Sequence, residues 1–343
     1  MTNIIRPDFG AVLKRADSSE KPKEMLSVHR EGGQTIVRVN SSSLSIIQTC
    51  PRKARYLLHD KWRAKTVAPA LSFGTAIHKA LEIFYSHPKA ERELPRNFDE
   101  VAPLLAHGHE PPETHFLYDA LKAFVAAAQP LAALPDVDKR SIASGVWVLS
   151  HYFKTYLTDP YVIYRDEHGP VTERTFSVPF WEDHDLRVEL FGTIDFALRN
   201  EASGEILIGD HKTSSQLGSD FLNRVKPNHQ YTGYIVGAQR ALGIPSENFL
   251  INAIQVKARP LTARGGPPTF TRQITRRTQD DIAEFQEALL WAVWSYLGWE
   301  KSSIWPIGNV DACAMWGGCQ FLDVCSAPNS LRQNILSAKF TQE

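Results

Sequence analysis

The chain has 343 residues, room for about two domains of ordinary size, and its 43% apolar content suits a folded protein with a substantial core. Its 38 basic and 38 acidic residues cancel, so overall charge advertises no nucleic-acid partner, although a balanced total can hold a local basic groove. No run of 18 apolar residues occurs, which predicts no membrane-spanning helix, and the first 25 residues lack the apolar centre of a secretory signal, so a cytoplasmic location is expected.

In chain order, residues 1–33 are polar and aperiodic and read as a loosely held arm. Thr35–Val39 reads as a short strand. Ser41, Ser42 and Ser43 then offer N-caps for a helix carrying Leu44 and Ile47 past Pro51 to about Leu58. A second helix is expected from about Thr75, with Ile77, Leu81 and Phe84 at helical spacing, so that residues 34–86 form an N-terminal helical unit. Residues 87–160 hold proline-rich breaks around two helical patterns, 113–129 and 137–157, and read as a helical insertion. From residue 171 the period changes to two: VTERTFSVPF, LRVELFGTIDFALR and EILIGDHKT predict three consecutive strands. A helix over 228–242 stops at Gly243 and Pro245. Strands in FLINAIQVKA and TFTRQITRR and a long amphipathic helix at 280–297 complete a core over 161–300. The order of elements predicts a mixed α/β fold, with residues 301–343 as a Cys-rich C-terminal segment.

The strand in EILIGDHKT ends on an acid and a base. If the hairpin turns on Ala202-Ser203, Asp195 and Asp210 stand equally far from the turn and oppose each other, with Cβ atoms about 5 Å apart on one face. Lys212, two residues on, shares that face and His211 takes the other. Facing carboxylates repel unless a positive charge lies between them. A hard divalent cation, Mg²⁺ or Mn²⁺, suits such an oxygen-rich site. It would activate a water and polarise a phosphoryl oxygen, with Lys212 beside the developing charge. A surface ion pair is the ordinary reading of an Asp-x-Lys triplet; the agreement in register with Asp195 weighs against it.

FGTIDFAL, ILIGDHKT and QYTGY together resemble the RecB-type branch of the PD-(D/E)XK nuclease superfamily. The resemblance implies a restriction-endonuclease-like core with a mixed central sheet, Asp195 and Asp210 as metal ligands, and Lys212 as the catalytic base-side cation. Gln230 and Tyr234, four apart on one helix face, match the helix motif that leans over the site. FGTAIHKALE resembles the upstream helix whose histidine completes the metal set, which assigns that role to His78, and Glu173 matches a position where an acid supports the site.

Cys50 stands alone, whereas Cys313, Cys319 and Cys325 crowd within 13 residues. In a cytosolic chain such a layout favours metal or cluster ligation over disulfides. One cysteine before the histidine helix and three beyond the core resembles the iron–sulfur members of the branch, the CRISPR-associated adaptation exonuclease and phage exonucleases among them. That implies a [4Fe–4S] cluster joining the N- and C-terminal segments, and a Cys₄ zinc site is the chemical alternative. Closing the loop from Cys50 to Cys313 would contribute about 5 kcal/mol by chain entropy.

The stretch from Arg52 to Lys65 interleaves cations with aromatics, and Arg52, Arg55 and Trp62 are candidate contacts to single-stranded DNA. Arg276 and Arg277 offer a second basic stretch. No P-loop motif occurs, so a helicase, or other recombination or adaptation proteins, would be partners. The expected function is a metal-dependent exonuclease on single-stranded DNA ends, in a bacterial or phage-infected cytoplasm. A DNA-binding subunit with little activity and a zinc-stabilised endonuclease are the competing readings.

Overall fold

The computed structural model describes residues 24–260, 266–314 and 318–343, so residues 1–23 of the expected arm lie outside the described residues. The remainder of that arm departs from expectation. It forms strand β1 (Leu26–Glu31), paired antiparallel with β2 (Gln34–Val39). Their connection is Gly32-Gly33 with φ of 58° and 90°, the doubly left-handed conformation that a two-residue hairpin needs.

Helix α1 (Ser41–Thr49) is capped by Asn40, whose side chain accepts from the Ser43 N–H. The expected continuation through Pro51 does not occur. Cys50 is extended (φ −163°, ψ 119°), because a residue preceding proline is pushed out of the helical region. Helix α2 (Pro51–Ala54) restarts the chain and runs into a π-helical turn at Arg55–His59. Strand β3 (Trp62–Ala64) and helices α3 (Pro69–Ser86), α4 (Phe98–Leu105), α5 (Phe116–Ala127) and α6 (Ile142–Tyr156) follow. The pattern had not revealed α4, which contains Pro103.

Strands β4 (Tyr161–Ile163), β5 (Thr172–Glu182), β6 (Leu186–Asn200) and β7 (Ile206–Ser214) lead into α7 (Ser219–Leu222) and α8 (His229–Arg240). Strands β8 (Asn248–Gln255) and β9 (Phe270–Arg276) precede the long α9 (Gln279–Ser302). Helices α10 (Leu322–Ser326) and α11 (Asn329–Lys339) and strand β10 (Phe340–Gln342) close the chain.

Among the described residues the main sheet has eight strands and is mixed. β5 runs antiparallel along β6. The 15-residue β6 is long enough to divide its other edge: β2 pairs parallel over Leu186–Leu190, and β7 antiparallel over Phe196–Arg199. β8 adds parallel to β7, and β9 antiparallel to β8. Alternation sorts the side chains into two cores. Ile208, Phe249, Ile251 and Ala253 face α1, α8 and α9; Phe196, Leu198, Leu207, Leu250 and Ile254 face α3 to α6. The 87–160 block thus joins α3 in one layer over the sheet and shares its core. No helix among the described residues is long and apolar enough to cross a membrane.

Helix α8 lies close to the sheet because its inner face is small. A Cβ on Gly237 would stand 2.3 Å from the Phe176 ring, and one on Gly192 would stand 2.8 Å from the same ring. This contact sets the depth at which α8 carries its first turn over the strand tips. Gly237→Ala should therefore destabilise the protein by about 1–3 kcal/mol by overpacking, read by urea denaturation. Gly218→Ala, with nothing within 4 Å, should change it by less than about 0.5 kcal/mol.

Candidate active site

The hairpin register is the expected one: Phe196 pairs with Gly209, Ala197 with Ile208, and Leu198 with Leu207. The turn lies at Asn200–Glu205, where the Asn200 side chain accepts from the Ala202 and Ser203 N–H groups. The next position outward holds Asp195 and Asp210, and there the ladder stops. The His211 N–H donates to Asp195 Oδ2 at 2.8 Å instead of to a strand carbonyl. A side chain has replaced a rung, and the two strands part around it.

His78 comes from α3, whose inner face (Phe73, Ala76, Ile77, Ala80, Leu81) is fully buried and fixes the helix against the sheet. Its Nε2–H donates to the His211 carbonyl at 2.9 Å. Neutral His78 therefore turns the lone pair of Nδ1 toward Asp195 Oδ2 at 3.2 Å and Glu173 Oε1 at 3.9 Å. Ligand atoms of His78, Glu173 and Asp195 all lie within 4.8 Å of one another. Three electron-rich atoms facing a common point are unfavourable without a cation or a proton, so this donor set fits a hard divalent ion.

Glu173 stands between Thr172 and Arg174, which pair with Phe196 and Ile194, and so lies across the ladder from Asp195. Its φ is 47°, left-handed for a residue with a Cβ, which costs about 1–2 kcal/mol. Such strain persists only where the surroundings over-determine it, and it marks Glu173 as more than an edge-strand acid. The cluster within 4.8 Å is therefore His78, Glu173 and Asp195, whereas the expected set was His78, Asp195 and Asp210.

Asp210, 2% exposed, instead holds the Lys212 ammonium in an ion pair. Burial draws the Lys212 pKa down, but the Asp210 carboxylate overrides it, and the group ends above its ordinary value. Asp195 is pushed well up by burial and by the Asp210 charge beside it, against the pull of the His211 N–H. Burial lowers His78 despite the nearby Asp210 and Glu173. From α8, Gln230 Nε2 donates to the Tyr234 hydroxyl at 2.8 Å, and Tyr234 is raised by burial and by Asp210. The structure thus brings His78, Glu173, Asp195, Asp210, Lys212, Gln230 and Tyr234 to one end of the sheet.

A second layer went unread in the sequence. On the far face, Asn252 Nδ2 donates to His211 Nδ1 (2.7 Å) and to the Tyr152 hydroxyl (2.6 Å). Tyr152 meets the Tyr85 hydroxyl at 2.5 Å, Arg272 donates to Tyr85 at 2.9 Å, and Asp159 pairs with Arg272. This buried chain holds His211, the residue whose N–H and carbonyl position Asp195 and His78. An asparagine at the centre of the apolar FLINAIQ was the available signal.

The four cysteines line one recess with Thr49, Lys53, Ile307 and Phe321. Cys50 sits at the α1–α2 break, where its Sγ accepts from the Gly308 N–H at 3.4 Å. Burial pushes the Cys325 thiol up, with Arg52 opposing. The ends of the chain have other ties as well. β10 pairs with β3, and Phe321 stacks on Phe340 at 4.7 Å and meets Tyr56 at 5.0 Å.

The expected DNA contacts are corrected in part. Trp62 is 7% exposed and belongs to the core, so it offers no face to a base. Arg52 donates to the Trp305 carbonyl, Arg55 pairs with Asp60, and Lys65 donates to the Ser337 and Ala338 carbonyls. Arg277 is 0% exposed and binds Thr232, Thr275 and the Val225 carbonyl, which is a structural role. Arg276 is exposed but paired with Glu247.

The raised Asp195 pKa has a testable consequence in metal-free protein. The folded chain keeps a proton that the unfolded chain releases near pH 4. Stability from this group is thus full below about pH 4 and falls as pH rises toward the raised native value. Asp195→Asn retains the acceptor for His211 and removes that loss. In chelator it should melt above wild type at neutral pH, with the gap closing near pH 4; a gap independent of pH refutes the carboxylate coupling.

No curated protein matches the sequence. A crystal structure of a "putative exonuclease" from Eubacterium rectale is similar, with a TM-score of 0.38 and 12% identity over 84% of this chain and 93% of that one. Residues 38–326 match the PD-(D/E)XK nuclease superfamily, a span holding every residue of the sheet-end cluster. The chain belongs to the PD-(D/E)XK nuclease superfamily.

Proposed function

We propose that the protein is a Mg²⁺- or Mn²⁺-dependent deoxyribonuclease that hydrolyses phosphodiesters at single-stranded DNA ends. The observation carrying this reading is the convergence of His78 Nδ1, Asp195 Oδ2 and Glu173 Oε1 beside the Asp210–Lys212 pair. His78, Asp195 and Glu173 would hold the ion, with Asp210 closing the far side. When bound, the ion supplies a water of lowered pKa and neutralises charge on the phosphoryl oxygen. Lys212, kept protonated by Asp210, donates to the attacked phosphate and stabilises its growing charge. Gln230 and Tyr234 close the site from α8. A groove of mixed lining, with Ser41, Ser45, Ile46, Gln48, Asn228 and Gln230, gives the strand an approach.

We further assign the Cys50, Cys313, Cys319 and Cys325 recess to a structural [4Fe–4S] cluster. The Gly308 N–H on Cys50 and the cations Arg52 and Lys53 beside the thiols support it, since they offset the negative charge of a thiolate-ligated cluster.

Asp210→Ala or Lys212→Ala should reduce cleavage of end-labelled linear DNA at least ~100-fold at saturating Mn²⁺ while leaving binding intact. Chelator should abolish cleavage, and circular single strands should resist. Near-normal turnover by Asp210→Ala sinks the site assignment, and digestion of circles replaces an exonuclease with an endonuclease.

Protein purified without oxygen should contain iron and sulfide, and Cys50→Ala should lose both while the β3–β10 ladder still holds the chain ends. Stoichiometric zinc without iron in that preparation overturns the cluster in favour of a Cys₄ zinc site.

A further inference from the structure

Helix α9 buries one face, packed against α1, α8 and α2, through Ile282, Phe285, Leu289, Val293 and Tyr296. Its opposite face carries Glu284, Glu287, Trp291, Trp294, Gly298 and Lys301, all exposed. Trp291 is 59% and Trp294 52% exposed, although tryptophans in water are costly and rarely occur in pairs without a partner. Trp294 is already held in place, edge-to-face with Trp181 at 6.5 Å.

The spacing of this stripe is 3, 4, 3, 4, 3, the a/d seam of a coiled coil. A two-fold axis crossing the helix between residues 292 and 293 maps the stripe onto itself. It sets Trp291 against Trp294 of the other copy, Glu287 against Gly298, and Glu284 against Lys301. The charges are complementary under that operation, acid at the N-terminal end against base at the C-terminal end. A Cβ on Gly298 would have nothing within 4 Å, so a bare socket lies beside each tryptophan pair.

We infer that this face binds a second copy of the chain, α9 against α9, antiparallel about a two-fold axis. A closed isologous contact requires a self-complementary patch, and this stripe satisfies the requirement in both shape and charge. Tryptophan anchors flanked by charged pairs are the usual centre of such an interface. The contact is one helix wide, at the small end of specific interfaces, so the dimer dissociates on dilution. It lies apart from the sheet-end cluster, and each copy keeps its own site.

Sedimentation equilibrium of the full chain tests the inference. At high micromolar concentration wild type should approach twice the 38.6 kDa chain mass. Trp291→Glu with Trp294→Glu should be monomeric. Glu284→Lys alone and Lys301→Glu alone each place like charges at both ends and should weaken association at least ~10-fold. An equimolar mixture of those two variants restores opposite charges at both ends and should dimerise again. A monomeric wild type overturns the inference and leaves the stripe to a different protein. A dimer that survives the tryptophan substitutions, or charge variants that fail to complement, places any self-association elsewhere and overturns it as well.

Discussion

The hydrogen bond from the His211 N–H to Asp195 Oδ2 governs the chemistry-bearing end of this molecule. It ends the β6–β7 ladder one position beyond Phe196 and Gly209, where another backbone rung would otherwise close the sheet. Because a carboxylate takes the amide, the strands diverge and the His211 carbonyl is released to receive His78. The backbone of one residue, His211, therefore fixes two of the three converging donors, and its side chain is locked by Asn252 and the tyrosine–arginine chain behind it. Buried polar networks of this type are rigid only when every link is made, which is why Asn252, Tyr152 and Arg272 matter to the cluster that His211 and Tyr85 border.

The cluster is built against electrostatics. Asp195 is buried beside Asp210, Glu173 bears a left-handed backbone, and His78 points a lone pair at carboxylates. Each feature lowers the stability of the metal-free chain; a single hard cation would relieve the two electrostatic ones and offset the backbone cost at Glu173. The same arrangement explains why Asp210 leans toward Lys212: two acids cannot share one small space, so one takes a lysine and the other a position beside the histidine. Layers from opposite faces of the sheet are both needed, since His78 arrives on α3 and Gln230 and Tyr234 on α8.

Positive charge in the sequence turned out to serve the fold. The Arg52–Lys65 stretch anchors the N-terminal turn to the C-terminal segment through carbonyls and acids, and Trp62 closes that joint from within. The cysteine recess sits in the same joint, so a cluster there would reinforce a contact already made by the β3–β10 ladder and the Tyr56–Phe321–Phe340 rings.

Local pattern was enough for much of this. Period-two alternation and a symmetric turn placed Asp195 opposite Asp210, because side-chain direction in a strand depends only on counting residues. Helical spacing put Gln230 and Tyr234 on one face for the same reason. The break at Cys50 was overlooked: the expected helix ran past Pro51, although a proline disfavours the helical conformation in the residue before it. What pattern could not supply was which long-range partner each charged group would find. Arg277 and Trp62 looked like surface contacts and are buried; Glu173 looked like a supporting acid and stands within the donor cluster; Asp210 looked like a simple ligand and pairs with Lys212. Those outcomes depend on distances between elements far apart in the chain, set by how closely α3, α8 and the tail pack on the sheet, and only the tertiary structure decides them.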